Sequence, residues 1–202
     1  SCVDSDDFLT PNAVKIINDK WKVCREYNKC VGLVGTCIQT NGKPVGTGMV
    51  DIEYATLQEL YNKYGYKGDT ILVFRSSIIK KCKFPKIEGE KFIPETYIYD
   101  QIDKEGKLAT IKEGIYVCEY LEDGYTANSA KLIKKNPKGY ILVAEQRLND
   151  AKSLKDKLIS AAKIILGNWL AGEKDFMGRY NKKLIFILAT PLAYIVYLKK
   201  YK

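Results

Sequence analysis

The sequence predicts an α/β chain of layered strands and helices, followed by a lysine-rich helical C-terminal region. Three observations predict it. Apolar runs of strand length occur at residues 31–38, 70–74 and 111–121, and segments with apolar residues at helical spacing lie around and between them. From residue 126 onward the composition changes, and lysine and helix-forming residues dominate. With 202 residues, of which 46% are hydrophobic, the chain is long enough for one sizeable core or a core plus an appendage.

Taken in order, Thr10 is placed as a helix N-cap with Pro11 at the first helical position, and Ala13, Val14, Ile17 and Trp21 then share a face. Residues 31–38 read as a buried strand in which Gly32 and Gly35 allow close backbone approach. Asn41-Gly42 marks a turn, and Gly46-Thr47-Gly48 a flexible or bulged stretch. Leu57, Leu60, Tyr61 and Tyr64 follow helical spacing, and Gly65 is placed to end that helix. A short strand over 70–74 follows Gly68-Asp69. A further helix begins near Pro94 and carries Tyr97, Ile98 and Ile102, and the imperfect alternation over 111–121 reads as another strand. Gly167, Gly172 and Gly178 are expected to divide the C-terminal region into separate helices.

The last apolar run, residues 184–198, lies between Lys182-Lys183 and Lys199-Lys200 and contains Pro191. It is shorter than the roughly 20 residues that span a bilayer. The expectation is a core helix or one lying in a membrane interface, where flanking Lys and interspersed Tyr are at home.

The net charge of +9 is unevenly spread. Residues 131–202 carry 16 Lys and Arg against 5 Asp and Glu, while residues 1–130 carry 17 against 19. Such a basic region suits an anionic membrane surface or nucleic acid. The chain has neither zinc-finger spacing nor an RNA-binding aromatic motif, so nucleic acid is not expected as a partner. Six cysteines with no CxxC pair, together with no histidine, argue against a structural zinc site. Scattered thiols without a secretory leader point to a cytoplasmic location, with any membrane attachment peripheral and at the inner face of the cell membrane. The absence of histidine leaves acid–base chemistry to Asp, Glu, Lys, Tyr or Cys.

The acidic tetrad Asp4-Ser5-Asp6-Asp7 stands just before the first helix signal. Carboxylate oxygens suit Mg²⁺, Mn²⁺ or Ca²⁺, ions that also bind phosphates. A turn or helix cap explains the same residues without an ion. An EF-hand does not, because Leu9 and Lys15 occupy the sixth and twelfth positions, where that loop needs Gly and Glu. Only three residues precede the tetrad, so the chain reads as the later part of a larger domain.

Four motifs follow in order: Val3-Asp4-Ser5-Asp6-Asp7; Gly68-Asp69-Thr70 leading to Val73-Phe74-Arg75; Phe84-Pro85-Lys86-Ile87-Glu88-Gly89-Glu90-Lys91-Phe92-Ile93-Pro94-Glu95; and Asp123-Gly124-Tyr125-Thr126-Ala127-Asn128. Over roughly residues 2–145 this set resembles bacterial family 2 glycosyltransferases of the GT-A fold. The resemblance implies a truncated GT-A-like mixed sheet flanked by helices. Residues 1–125 are then the acceptor-side part of a catalytic domain beginning at the DxD motif, and residues 126–202 a basic helical extension that associates with membranes.

The implied activity is metal-dependent transfer of a sugar, with inversion, from a nucleoside diphosphate sugar, expected to be UDP-linked, to a glycan or lipid-linked acceptor. Its setting is cell-surface polysaccharide or glycolipid synthesis. Asp4 and Asp6 match the DxD motif and, with Asp7 as a further candidate, would hold Mn²⁺ or Mg²⁺; Asp4 also faces the nucleotide. Glu90 and Glu95 are the candidates for the base, with Lys91 standing where many members have Asp. Asp69 is a candidate acceptor or sugar contact, and Thr126 and Asn128 are candidates for nucleotide-sugar binding. Arg75 and Lys91 are placed to offset diphosphate charge. Because the family's nucleotide-recognising half precedes the DxD motif, this chain alone is expected to bind nucleotide sugar weakly and to be impaired in turnover.

Two other classes compete. A noncatalytic carbohydrate-binding or scaffold module would retain the fold without metal-coupled nucleotide binding. A nucleotidyltransferase also pairs Asp around a metal, but it needs a phosphate-cradling Gly-rich loop, and Gly46-Thr47-Gly48 is too short for one.

Overall fold

The computed structural model describes residues 3–118 and 128–202. Two compact units divide the chain: Ser1–Lys83 with Ile98–Tyr120, and Phe84–Tyr97 with Leu121–Lys202. The second unit therefore takes in a segment that the sequence reading assigned to the first.

The first unit is built on a five-stranded mixed sheet of β1 (Phe8–Leu9), β2 (Cys30–Ile38), β3 (Tyr54–Ala55), β4 (Thr70–Phe74) and β5 (Lys107–Val117). Its order is β1-β5-β2-β4, and β3 also pairs with β5. β2 and β5 run parallel, whereas β1–β5, β3–β5 and β2–β4 are antiparallel. β2 is buried along almost its whole length, as its apolar run requires, and Leu33, Cys37, Ile71, Ala109, Ile111 and Ile115 form the centre of the core. A Cβ at Gly32 would stand 2.1 Å from the Val73 carbonyl oxygen, so only glycine lets β2 and β4 meet there.

The helices of this unit are α1 (Ala13–Cys24), α2 (Leu57–Asn62), α3 (Ser76–Ile79) and the greater part of α4 (Thr96–Glu105). α1 begins later than expected: the Ala13 N–H donates to the Thr10 carbonyl at 2.9 Å, which makes Thr10-Pro11-Asn12 a turn before the helix. Ala13, Ile16, Ile17, Trp21 and Cys24 face the sheet, and Val14 points outward, 67% exposed. α2 has a capping box, with the Thr56 hydroxyl accepting the Glu59 N–H at 3.0 Å and Glu59 accepting the Thr56 N–H at 3.1 Å.

β5 covers 107–117 and so begins before the strand expected over 111–121, whose last three residues lie outside the described residues. Its alternation is imperfect because of a bulge. Between Gly35↔Ile111 and Thr36↔Gly114 the register shifts, and Lys112 and Glu113 are turned out to solvent.

The second unit is helical, with α5 (Ser129–Lys135), α6 (Pro137–Asp150), α7 (Leu154–Ala171), a short 3-10 helix (Phe176–Arg179) and α8 (Lys183–Lys200). Ala144, Leu148, Ala161, Ile164, Ile165, Phe176 and Phe186 form its core. Gly167 does not end a helix, contrary to expectation. It lies inside α7, where a Cβ would come 2.5 Å from Ile141 Cγ1, so it serves the close packing of α6 on α7. Gly172, at φ 76°, does end α7, and Gly178 lies within the 3-10 helix. α8 continues through Pro191. No helix among the described residues is long and apolar enough to cross a membrane.

Candidate functional site

The acidic tetrad forms a turn at one end of the sheet. The Asp7 N–H donates to the Asp4 carbonyl at 3.2 Å, and the pairing of Phe8 with Val117 carries the turn alongside β5. There the Tyr116 hydroxyl accepts the Asp4 N–H at 3.2 Å and donates to Asp7 Oδ2 at 2.6 Å. One phenol thus holds both ends of the turn. Asp4 and Asp6 are exposed, and Asp7 is half-buried.

Asp69 reaches the same end of the sheet by a different route. The antiparallel pairing of Thr36 with Thr70 sets the residue before β4 beside the end of β2, and the Asp69 carbonyl accepts the Cys37 N–H at 3.4 Å and the Tyr66 hydroxyl at 2.8 Å. The buried Cys37 and Cys118 thiols lie close to both segments. Burial pushes each thiol up, and the negative charges of Asp7 and Asp69 push both further. Burial, then the bond to Asp7, likewise raises the Tyr116 hydroxyl. All three groups are therefore protonated at neutral pH, and among the described residues the anionic donors at this end are carboxylates.

That donor set bears on an implied Mn²⁺ or Mg²⁺. Among the described residues no group of three or more Asp, Glu, Cys or His is arranged to hold a metal ion. Asp4 and Asp6 present hard oxygens to solvent, which fits an ion held by one or two carboxylates and completed by waters and phosphate oxygens. Asp7 is tied to Tyr116, so its first role is to brace the turn.

Glu90, Glu95 and Asn128 belong to the second unit. Glu90 Oε1 and Oε2 accept the N–H groups of Lys138 and Gly139, each at 2.8 Å, at the start of α6. These are among the donors that a helix N-terminus leaves without intrahelical partners, and Glu90 caps them from a distant segment. The Lys91 N–H donates to Asn136 Oδ1 at 3.0 Å, which fastens the same segment to the helix start. Glu95 is exposed, and Asn128 is the residue before α5, its carbonyl accepting the Leu132 N–H at 3.0 Å. Thr126 lies outside the described residues.

Arg75 has a structural role. Its guanidinium donates to the carbonyls of Cys30 and Arg25 at 3.3 and 3.1 Å and stands over the Trp21 ring at 5.0 Å. Since Cys30 begins β2 and Cys37 nearly ends it, Arg75 sits at the opposite end of the sheet from Asp69. Asp103 on α4 is structural too, accepting the N–H groups of Leu57 and Gln58 at 2.9 Å each.

Sequence reasoning missed Tyr116, Cys37 and Cys118. Their positions in apolar strands mark them as core, and only the pairing of β1 and β2 with β5 brings them to the acidic turn. Comparison with protein-family models, with curated proteins and with solved structures returns no match.

Proposed function

We propose that this chain acts as a metal-dependent inverting glycosyltransferase, moving a sugar from a nucleoside diphosphate sugar to an acceptor hydroxyl of a glycan or lipid-linked molecule. The observation that supports it most is the turn of Asp4 to Asp7, braced by Tyr116 and lying with Asp69 at one end of a mixed sheet. Exposed carboxylates on this turn suit a divalent cation, and such a cation would offset the charge that grows on a leaving diphosphate. Mn²⁺ or Mg²⁺ held by Asp4 and Asp6 would supply the neutralisation of that charge.

In this reading the acceptor hydroxyl attacks the anomeric carbon on the face opposite the leaving group. A carbon–oxygen bond forms as the bond to the diphosphate oxygen breaks; the electron pair leaves with the nucleoside diphosphate, and the hydroxyl proton passes to a carboxylate. Both oxygens of Glu90 already accept backbone N–H groups of α6, which sets it aside as that carboxylate. Asp69 is the sugar or acceptor contact.

A noncatalytic carbohydrate-binding or scaffold module is the second reading. It is favoured by the capping role of Glu90. Calorimetric titration of UDP with and without Mn²⁺, on the chain and on Asp6→Asn, separates the two. The transfer reading expects binding only with Mn²⁺, weakened about tenfold or more in the variant. Glycan binding that ignores both the metal and the substitution would instead favour the module.

A further inference from the structure

The face of α8 turned away from the core is apolar along its whole length. Phe186, Ala189 and Ala193 are buried in the core of the second unit. On the other side Leu184, Ile187, Leu188, Leu192, Ile195 and Leu198 are 40% to 68% exposed. These positions recur every three or four residues, so they make one stripe. No charged residue interrupts residues 184–198, and at the helical rise the stripe is about 22 Å long. An exposed apolar surface of that extent marks a docking face, whereas single exposed Leu side chains are ordinary.

Charge identifies what docks. Lys182 and Lys183 stand at one end of the stripe, and Lys199, Lys200 and Lys202 at the other. All five are exposed, and none makes an ion pair among the described residues. No Asp or Glu occurs after Asp175. A second copy laid on this stripe, parallel or antiparallel, would bring a lysine cluster of one copy against a lysine cluster of the other, with no acidic residue on the helix to offset the repulsion. Anionic lipid headgroups meet both ends favourably.

We propose that α8 is an interfacial membrane anchor, lying in the plane of an anionic bilayer with its Leu and Ile stripe sunk to the level of the acyl chains and its terminal lysines among the headgroups. Tyr194, exposed beside the stripe, suits the same boundary. This attachment is independent of any reaction at the acidic end of the sheet.

The test is co-sedimentation of the full 202-residue chain with vesicles of phosphatidylcholine alone and of phosphatidylcholine mixed with an equal part of phosphatidylglycerol. It is repeated with Leu188→Glu/Ile195→Glu and with Lys199→Gln/Lys200→Gln. Both pairs are exposed, so far-UV circular dichroism and the unfolding midpoint should stay those of the parent. Binding to the mixed vesicles is expected to exceed binding to neutral ones, to be lost in the Glu pair and to weaken about tenfold or more in the Gln pair. Binding that survives the Glu pair would overturn the proposal, as would no binding to the mixed vesicles. A concentration-dependent dimer that Leu188→Glu/Ile195→Glu dissociates, without vesicle binding, would also overturn it and give the stripe to a second copy.

Discussion

A carboxylate's role is set by the donors around it, and Glu90 and Asp7 illustrate this at the scale of single residues. Glu90 sits in the motif that suggests a catalytic base, yet its two oxygens close the N-terminus of α6. Replacing Glu90 with Gln leaves one oxygen to accept and turns an amide NH₂ toward the other backbone N–H. The loss of stability should be about 1–2 kcal/mol, read from urea unfolding, with Mn²⁺-dependent UDP binding retained. An unchanged midpoint would restore Glu90 as a candidate base. Asp7 is likewise engaged by Tyr116, while Asp4 and Asp6 are exposed.

Packing between elements explains where the expected boundaries moved. Gly167 reads locally as a helix breaker, because glycine costs about 1 kcal/mol in a helix interior relative to alanine. Within α7 that cost allows α6 to approach closely at Ile141. Gly167→Ala should therefore destabilise the chain by about 1–2 kcal/mol net, since overpacking outweighs the gain in propensity. In an Ile141→Ala background the same substitution should become stabilising. A double-mutant cycle in urea would show this, and additive effects would refute the contact. The boundaries of β5 moved for a related reason: its bulge at Lys112 and Glu113 breaks the alternation that marks a strand, although pairing with β2 resumes beyond it.

For the molecule as a whole, the lack of histidine and the many buried thiols and phenols shape the response to pH. Burial pushes Cys24 up to about 12, and it also raises Cys37, Tyr66, Tyr116, Tyr140 and Tyr180. A group raised in the folded state contributes fully below its unfolded value and loses that contribution as pH climbs toward the folded one. Unfolded thiols and phenols titrate near about 8.5 and 10, so the melting temperature should be flat between about pH 6 and 8 and fall above about pH 9. A melting temperature that rises through that range would contradict the burial of these groups.

The sequence by itself determined the α/β class, the strands at 31–38 and 70–74, the helix beginning at Leu57 and the basic helical end, because each is a local pattern of side-chain period, turn chemistry or charge. Only the tertiary structure decided that Tyr116 braces the acidic turn, that Glu90 caps α6, that Gly167 is a packing contact and that one face of α8 is exposed among the described residues. Each of these depends on a partner far along the chain, or on the lack of one. Such partners meet through strand register and helix packing, and local periodicity does not encode them.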